Sequence, residues 1–490
     1  MNDISSQPLL GTNGIIFIGV YLLSLIGIGF AGRVAQKEKT LADFYLAGRG
    51  MGVFVLFLTL YATQYSGNTL IGFAGKAYRT GFSSLVTVLF MSSIIGAYLL
   101  YAPKLFRLSK KYNFITIGDF IQHRYKSNRL TITISILAIV ALGNYILTNL
   151  KAIGFIVTAT TGGVIPFAEG IILLSLIMVI YETLGGMRSV AWTDVIQGIL
   201  LMLGVFLIFY TIQTQYGGLD VAETTLKKIR PDFYDALTPK ELMTWGSTMV
   251  IVFFGISVYP HAIQRIYAAK NEHTLKRSFQ IMVFMPLVTT LFMVYVGIVG
   301  VSKFPGLDRA GSETVTLLLL NDLSQHIPWI SGLLILFISA AVAAVMSTVD
   351  SALLAVSSLA TQDFYRRIRP NSSQRKLTYI GKFISWLVMA LAVVLAIKLP
   401  QTIWKLFEIK LELLCQIAPA IFLGVHMKNL SGKAVFYGII VGTGIALIIM
   451  VGHWVYPLIP SKPLGIHGGV WGLMANGIVI WFIQKKRTHE

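Results

Sequence analysis

Between Ala343 and Ser358 the chain reads AAVMSTVDSALLAVSS, a run apolar enough for a membrane interior yet carrying one carboxylate and several hydroxyls. A helix turns by about 100° per residue, so Ala344, Ser347, Asp350, Ser351 and Ser358 fall on one stripe while Val345, Met346, Val349 and Leu353 cover the opposite side. Polar groups are costly at that depth, so the stripe faces the protein interior. Hydroxyl, carboxylate and carbonyl oxygens, with no sulfur or imidazole among them, are the donors that a small hard cation selects. The stripe reads as half of a sodium site. The competing structural reading lets each hydroxyl bond back to the preceding turn or to a neighbouring helix. It explains any one of these residues more easily than all of them around Asp350.

The other half needs backbone oxygens outside a helical ladder, and two apolar segments carry the interruptions that supply them. One reads LTLYATQYSGNTLIGFAG, with a polar cluster from Thr63 to Thr69 that includes Gly67; the other reads VIVFFGISVYPHAIQR, with Gly255, Ser257 and Pro260. Pro260 lacks a backbone donor and its ring crowds the preceding turn, so carbonyls near Ile256 are expected to be freed. Unwound backbone in mid-membrane is tolerated only where it is buried or lines a cavity. The breaks fall in the first helices of two candidate five-helix sets. Interrupted segments in corresponding positions point to an inverted-repeat transporter with its site at the midplane.

The elements that position these residues follow from composition. The chain has 490 residues, 55% hydrophobic and 12% charged, with a mean hydropathy of +0.72, which excludes an ordinary soluble enzyme. Thirteen apolar segments are long enough to span a bilayer, at about 14–31, 52–75, 83–106, 130–160, 167–184, 190–213, 244–267, 279–302, 329–360, 378–399, 402–425, 434–456 and 468–484. The whole chain, 1–490, is then one membrane domain: an extra helix at 14–31, repeats at 52–213 and 244–425, and two extra helices within 434–484. The net charge of +19 gathers in the loops after alternate segments, including Arg33 to Arg49, Lys104 to Arg129 and Arg366 to Lys376, and in the tail at Lys485 to Arg487. By the positive-inside rule that face is cytoplasmic, with the N-terminus outside and the C-terminus inside; the basic charge therefore does not imply nucleic acid. The single cysteine, Cys415, excludes a disulfide framework and a cysteine metal site. The first apolar run has no basic leader and no small-residue cleavage pattern, so it reads as a span rather than a removed signal. No nucleophile–base pair, phosphate loop or metal-ligand spacing suggests an enzyme.

Several stretches resemble the sodium:solute symporter family: AAVMSTVDSALLAVSSLATQDFYRR (343–367), LADFYLAGRGMG (41–52), YETLGGMRSVAWTDVIQG (181–198) and IQRIYAAK (263–270). The likeness covers almost the whole chain, in order, and is nearest to pantothenate, monocarboxylate and proline symporters. It implies an all-α LeuT-type core of ten helices in two inverted repeats, flanked by one helix before and two after. It also implies a Na+ site made of the Ser347 and Thr348 hydroxyls with the carbonyls of Ala344, Ala62 and Tyr65. Only Ala344 and Ser347 of this set follow from the helical stripe alone. A second cation site of some members maps to Asp194, Ser347, Asp350 and Ser351, with Asp350 where those members have a hydroxyl. Two carboxylates there would strengthen cation binding or share a proton, while Thr193 and Asp194 could instead cap a helix start. Gln64 stands where proline symporters carry an acid.

The solute cavity is expected between the two breaks, with Gln64, Ser66, Asn68, Asn144, Phe254, Ser257 and Tyr259 as candidates. Half-helix N-termini favour an anionic group there. Lys76 would attract a carboxylate or snorkel to the headgroups; His261 would pack beside the Pro260 break, and Phe253, Phe254 and Trp404 would form gates. The expectation is a multi-pass transporter of a bacterial-type cell membrane that couples Na+ to uptake of a small, carboxylate-bearing solute by alternating access. Na+ is its only coupling ion, membrane lipid its surroundings, and a monomer suffices. The alternatives are proton coupling on the same fold and a sugar or other neutral solute.

Overall fold

The computed structural model describes residues 10–399, 403–456 and 460–489. Among them there is no β-strand, only an isolated bridge between Met51 and Ala269. In hydrocarbon a helix satisfies its backbone within one segment, so the apolar runs fold as helices. They are α1 (Thr12–Val34), α2 (Val53–Gln64), α3 (Gly67–Thr80), α4 (Val86–Tyr112), α5 (Asn128–Thr160), α6 (Phe167–Gly185), α7 (Met187–Tyr216), α8 (Pro239–Ser257), α9 (Pro260–Ala268), α10 (Leu291–Lys303), α11 (Ile330–Leu359), α12 (Gln374–Lys398), α13 (Ile403–Leu414), α14 (Gly432–Val455) and α15 (Gly468–His489). Helix Glu272–Met282 leads into α10, and Ala418–His426 continues α13.

Ten helices among the described residues are long and apolar enough to cross a membrane, and α8 with α9, bent by 48°, makes an eleventh. The two other expected segments are present but miss that test for physical reasons. The first broken span is divided at Tyr65, leaving α2 as a shorter apolar helix; α15 carries the basic tail Lys485 to Arg487.

Helix α11 is the axis of the molecule. Every residue from Phe337 to Leu359 is buried, as expected of a helix that is apolar nearly all round. It packs against α2, α3, α5, α6, α7, α9 and α12. Past its end the chain forms a π-helical turn, Ala360–Tyr365, where Asp363 accepts hydrogen bonds from Thr116 and Ser135, each at 2.7 Å.

The breaks lie where the sequence places them. After α2 the backbone turns extended at Tyr65 (φ −97°, ψ 94°) and Ser66 (φ −86°, ψ 177°) before α3 begins. At the second break Pro260 opens α9, the position where a missing N–H matters least. The carbonyls before it are not left free as expected. Ile256 accepts from the Tyr259 amide at 3.1 Å, and Ser257 accepts from the Tyr101 hydroxyl. Tyr101 on α4 thus satisfies one of the carbonyls at the break.

Close approach depends on glycine at two places. A Cβ at Gly67 would lie 2.3 Å from Val345 Cγ2 on α11, and one at Gly297 would lie 2.1 Å from the Ala74 carbonyl oxygen on α3. Backbone there cannot yield as a flexible side chain does. Gly297→Val is therefore expected to cost about 1–3 kcal/mol, the usual penalty of overpacking, read as a lower Tm in detergent. An unchanged Tm would show that α3 and α10 are not held at this spacing.

Candidate functional site

The extended turn after α2 and the buried stripe of α11 meet. The Ser347 hydroxyl donates to the Ala62 carbonyl at 2.8 Å and lies 3.3 Å from the Ala344 carbonyl. The Thr348 hydroxyl donates to the same Ala344 carbonyl at 2.9 Å. Tyr65 follows the end of α2 in extended conformation, so its carbonyl leaves the helical ladder. Four of the five expected sodium ligands thus form one cluster across two helices, all from hard oxygens. These hydroxyls now donate to the carbonyls beside them; a small cation bound there would take over those oxygens' lone pairs. Among the described residues no group of three or more His, Cys, Asp or Glu could hold a metal ion, so the hydroxyl and carbonyl set is the cation chemistry on offer.

The expected second cation site is assembled around a residue to which the sequence reading gave no role. Arg265 on α9 is fully buried, as is Asp194 on α7, and they form an ion pair at 2.8 Å. The guanidinium also donates from Nε to Thr59 at 2.8 Å, from Nη1 to the His261 carbonyl at 3.1 Å and from Nη2 to Ser351 at 2.5 Å. Thr59 donates to Asp194 in turn. Asp350 lies beside this group, accepting from Tyr181 at 2.5 Å and from Ser351 at 3.3 Å. Asp194 is not a helix cap at the interface: the N-cap of α7 is Gly186, and Asp194 sits two turns further in with no exposed surface. A signal was available, since an arginine five residues past Pro260 inside an apolar segment requires a buried acidic partner.

Between the breaks lies a cavity lined by Leu60, Thr63, Gln64, Tyr98, Ile256, Tyr259, His261, Ala262 and Arg265, with room for about 10 Å³. That is roughly one water molecule, so a solute enters only when the walls move. Of the expected solute residues, Gln64 and Tyr259 line it. Ser66 faces the Tyr145 hydroxyl together with Thr348. Ser257 is buried behind the wall with its hydroxyl 3.5 Å from the Phe254 carbonyl, and Phe254 packs on Phe253 and Phe422 with ring centroids 4.9 and 5.5 Å apart. The Asn144 side-chain oxygen lies 3.5 Å from the Thr148 hydroxyl one turn along its own helix, a hydroxyl that also donates to the Asn144 backbone carbonyl at 2.8 Å. These three do not reach the cavity. The side chains of Asn68 and Trp404 lie outside the described residues. Lys76 lies over Phe90 at 5.7 Å, away from the cavity. Three buried polar atoms of the wall, Gln64 Nε2, Tyr259 Oη and His261 Nδ1, make no hydrogen bond, and such atoms are costly unless a ligand meets them. Lys410 on α13, also buried and also missed from sequence, places its ammonium 3.3 Å from the Tyr145 ring centroid.

With this geometry in view, the profile of the sodium:solute symporter family matches residues 44–442. The osmoregulated proline transporter of Bacillus subtilis (strain 168) is 27% identical over 96% of this chain and 95% of that protein. The sodium/pantothenate symporter of Haemophilus influenzae is 26% identical over 88% of this chain and 89% of its own. Among solved structures, a Na+-coupled sialic acid symporter in a substrate-bound outward-open state superposes with a TM-score of 0.80 at 20% identity, covering 97% of this chain and 98% of that one. The fold is the LeuT-type fold that the sequence motifs imply, and the relatives are transporters, not enzymes.

Removing one member of a fully buried ion pair strands the other, at a cost of about 3–5 kcal/mol, whereas removing both is far milder. Arg265→Met is expected to lower the Tm sharply, and Arg265→Met with Asp194→Leu to recover most of the loss. A double variant no better than the single one would mean that Thr59 and Ser351, rather than Asp194, hold the guanidinium.

Proposed function

The chain belongs to the sodium:solute symporter family, and from that premise we propose that it is a secondary active transporter in which Na+ entry drives uptake of a small carboxylate-bearing solute by alternating access. The observation that carries this reading is the contact of Ser347 with the Ala62 carbonyl. It joins the break of the first span to the central helix, so an ion held there bridges two elements whose relative movement opens the site to one side or the other. Na+ would be held by Ala62, Tyr65, Ala344, Ser347 and Thr348. Segments 52–213 and 244–425 would be the two repeats that rock around it, with the basic loops and the C-terminus in the cytoplasm and the N-terminus outside. The membrane potential adds about 2.3 kcal/mol per charge per 100 mV to the inward step.

Relatives named for pantothenate and proline symport, both of whose solutes carry a carboxylate, support the solute class. Asp194 already has Arg265 as its counter-charge. A second cation would therefore fall to Asp350 with Ser351. Asp350 is held by the Tyr181 and Ser351 hydroxyls, which favours a proton-coupled variant of the same cycle as the second reading.

A ligand that binds only the folded protein raises its stability by RT ln(1 + [L]/Kd), about 2.7 kcal/mol at one hundred times Kd. Thermal unfolding in Na+ against K+ or choline, at equal ionic strength, should show a sodium-specific rise in Tm. Ser347→Ala with Thr348→Ala should abolish it. A sodium-blind protein that instead accumulates solute under an inward pH gradient, and loses this with Asp350→Asn, would replace Na+ by H+.

A further inference from the structure

The first break is touched on both sides by a single neighbour. Helix α10 packs on α3 beyond the break, where a Cβ at Gly297 would lie 2.1 Å from the Ala74 carbonyl oxygen. The turn that leads into α10 reaches α2 before it. That turn, Pro286–Thr290, is π-helical, with the Leu291 amide donating to the Pro286 carbonyl five residues back. A wider turn rotates less per residue than an α-helix, so Thr289 and Thr290 point more nearly the same way, and such turns recur at functional sites. Neither threonine has exposed surface. The Thr289 and Tyr61 hydroxyls are hydrogen-bonded at 2.7 Å, and Thr290 faces Tyr65. The two tyrosine rings lie 4.8 Å apart, centroid to centroid. Between them in sequence is Ala62, whose carbonyl accepts from Ser347, and the chain turns extended at Tyr65 itself.

Resting on the sodium reading above, we propose that Thr289 is a positioning residue for the ion site: it holds Tyr61, and through Tyr61 the last turn of α2, which presents the Ala62 and Tyr65 carbonyls. A backbone carbonyl that leaves the helical ladder has no repeat to set its direction. It is aimed by whatever grips the side chains next to it. Tyr61 directly precedes Ala62, and its carbonyl accepts the Tyr65 amide at 3.0 Å, so one hydroxyl contact fixes both ends of the turn that bears the ligands. The pair lies in a dry interior, where a hydroxyl that loses its partner finds no water to replace it. Thr289 touches neither ion nor solute and acts through Tyr61. Because α10 also meets α3 at Gly297, one element braces the break from both sides, and α2, α3 and α10 move together when the site opens.

The test uses the full chain in detergent and reads the sodium concentration that gives half of the Tm rise. Thr289→Val removes one hydroxyl of the pair and Tyr61→Phe the other. Each is expected to raise that concentration about tenfold, the lower end of what is lost when a residue orienting a metal ligand is removed. The double variant is expected to lose no more than either single one, as two partners of one bond do, and Thr289→Ser to stay near wild type. A bond that serves packing alone would lower the Tm in choline and leave the sodium half-point within about threefold of wild type, which overturns the proposal. So does a Thr289→Ser variant as weak as Thr289→Val, or a double variant whose losses add. Tyr61→Phe carries the test if Thr289→Val does not fold. Amide hydrogen exchange across residues 61–69, measured in choline, judges the positioning without sodium: faster exchange in Thr289→Val is expected, and unchanged exchange overturns the proposal. A wild type whose Tm ignores sodium, but whose 61–69 amides loosen in Thr289→Val, sinks the ion reading and leaves Thr289 as the residue that sets this turn.

Discussion

A guanidinium with no access to water has to be answered entirely by protein, and Arg265 is answered by three other helices. Its donors reach Thr59 on α2, Asp194 on α7 and Ser351 on α11, and the carbonyl of His261 on its own α9. Leaving any of these partners unmatched in a low-dielectric interior is expensive, so the four helices are held in register by one side chain. Both breaks lie within two turns of that junction: Tyr65 follows α2 and Pro260 opens α9. The irregular backbone that a transport site needs is therefore anchored at a rigid point.

From this junction the two halves of the site extend in different directions. Along α11, one turn before Ser351, Ser347 and Thr348 meet the carbonyls of Ala62 and Ala344. At the start of α9, Tyr259 and His261 with Gln64 of α2 line the small cavity between the breaks. Tyr145 on α5 belongs to both, since its hydroxyl faces Thr348 and its ring supports Lys410. In the proposed cycle, the path between ion and solute is therefore one of packed side chains rather than a distant relay.

The fold was legible because its signals are local. Apolar runs give spans, and Gly67 and Pro260 within such runs give breaks, each readable without knowing any neighbour. The hydroxyl stripe was legible for the same reason, because Ala344 and Ser347 share one face of one helix. Arg265 and Lys410 were not assigned, although both are charges in apolar segments, because their roles depend on partners 71 and 265 residues away in the chain at Asp194 and Tyr145. The misplaced candidates show the converse. Ser257 and Phe254 sit next to the second break in sequence, but the Ser257 hydroxyl turns back to the Phe254 carbonyl and the Phe254 ring packs on Phe422. Asn144 lies on a helix from which it is Tyr145 that packs against Tyr259 of the cavity wall.

Gly67 has a consequence for how such a protein can change. Its missing Cβ lets α3 approach Val345 on α11, and every single substitution there adds at least one carbon where 2.3 Å is available. Any side chain at Gly67 therefore forces Val345 or the helix crossing to shift. The cavity wall is different: Gln64 and Tyr259 meet it through side chains, not through the backbone that packs on α11. Exchanging a wall side chain thus alters the cavity while leaving the helix crossing at Gly67 in place.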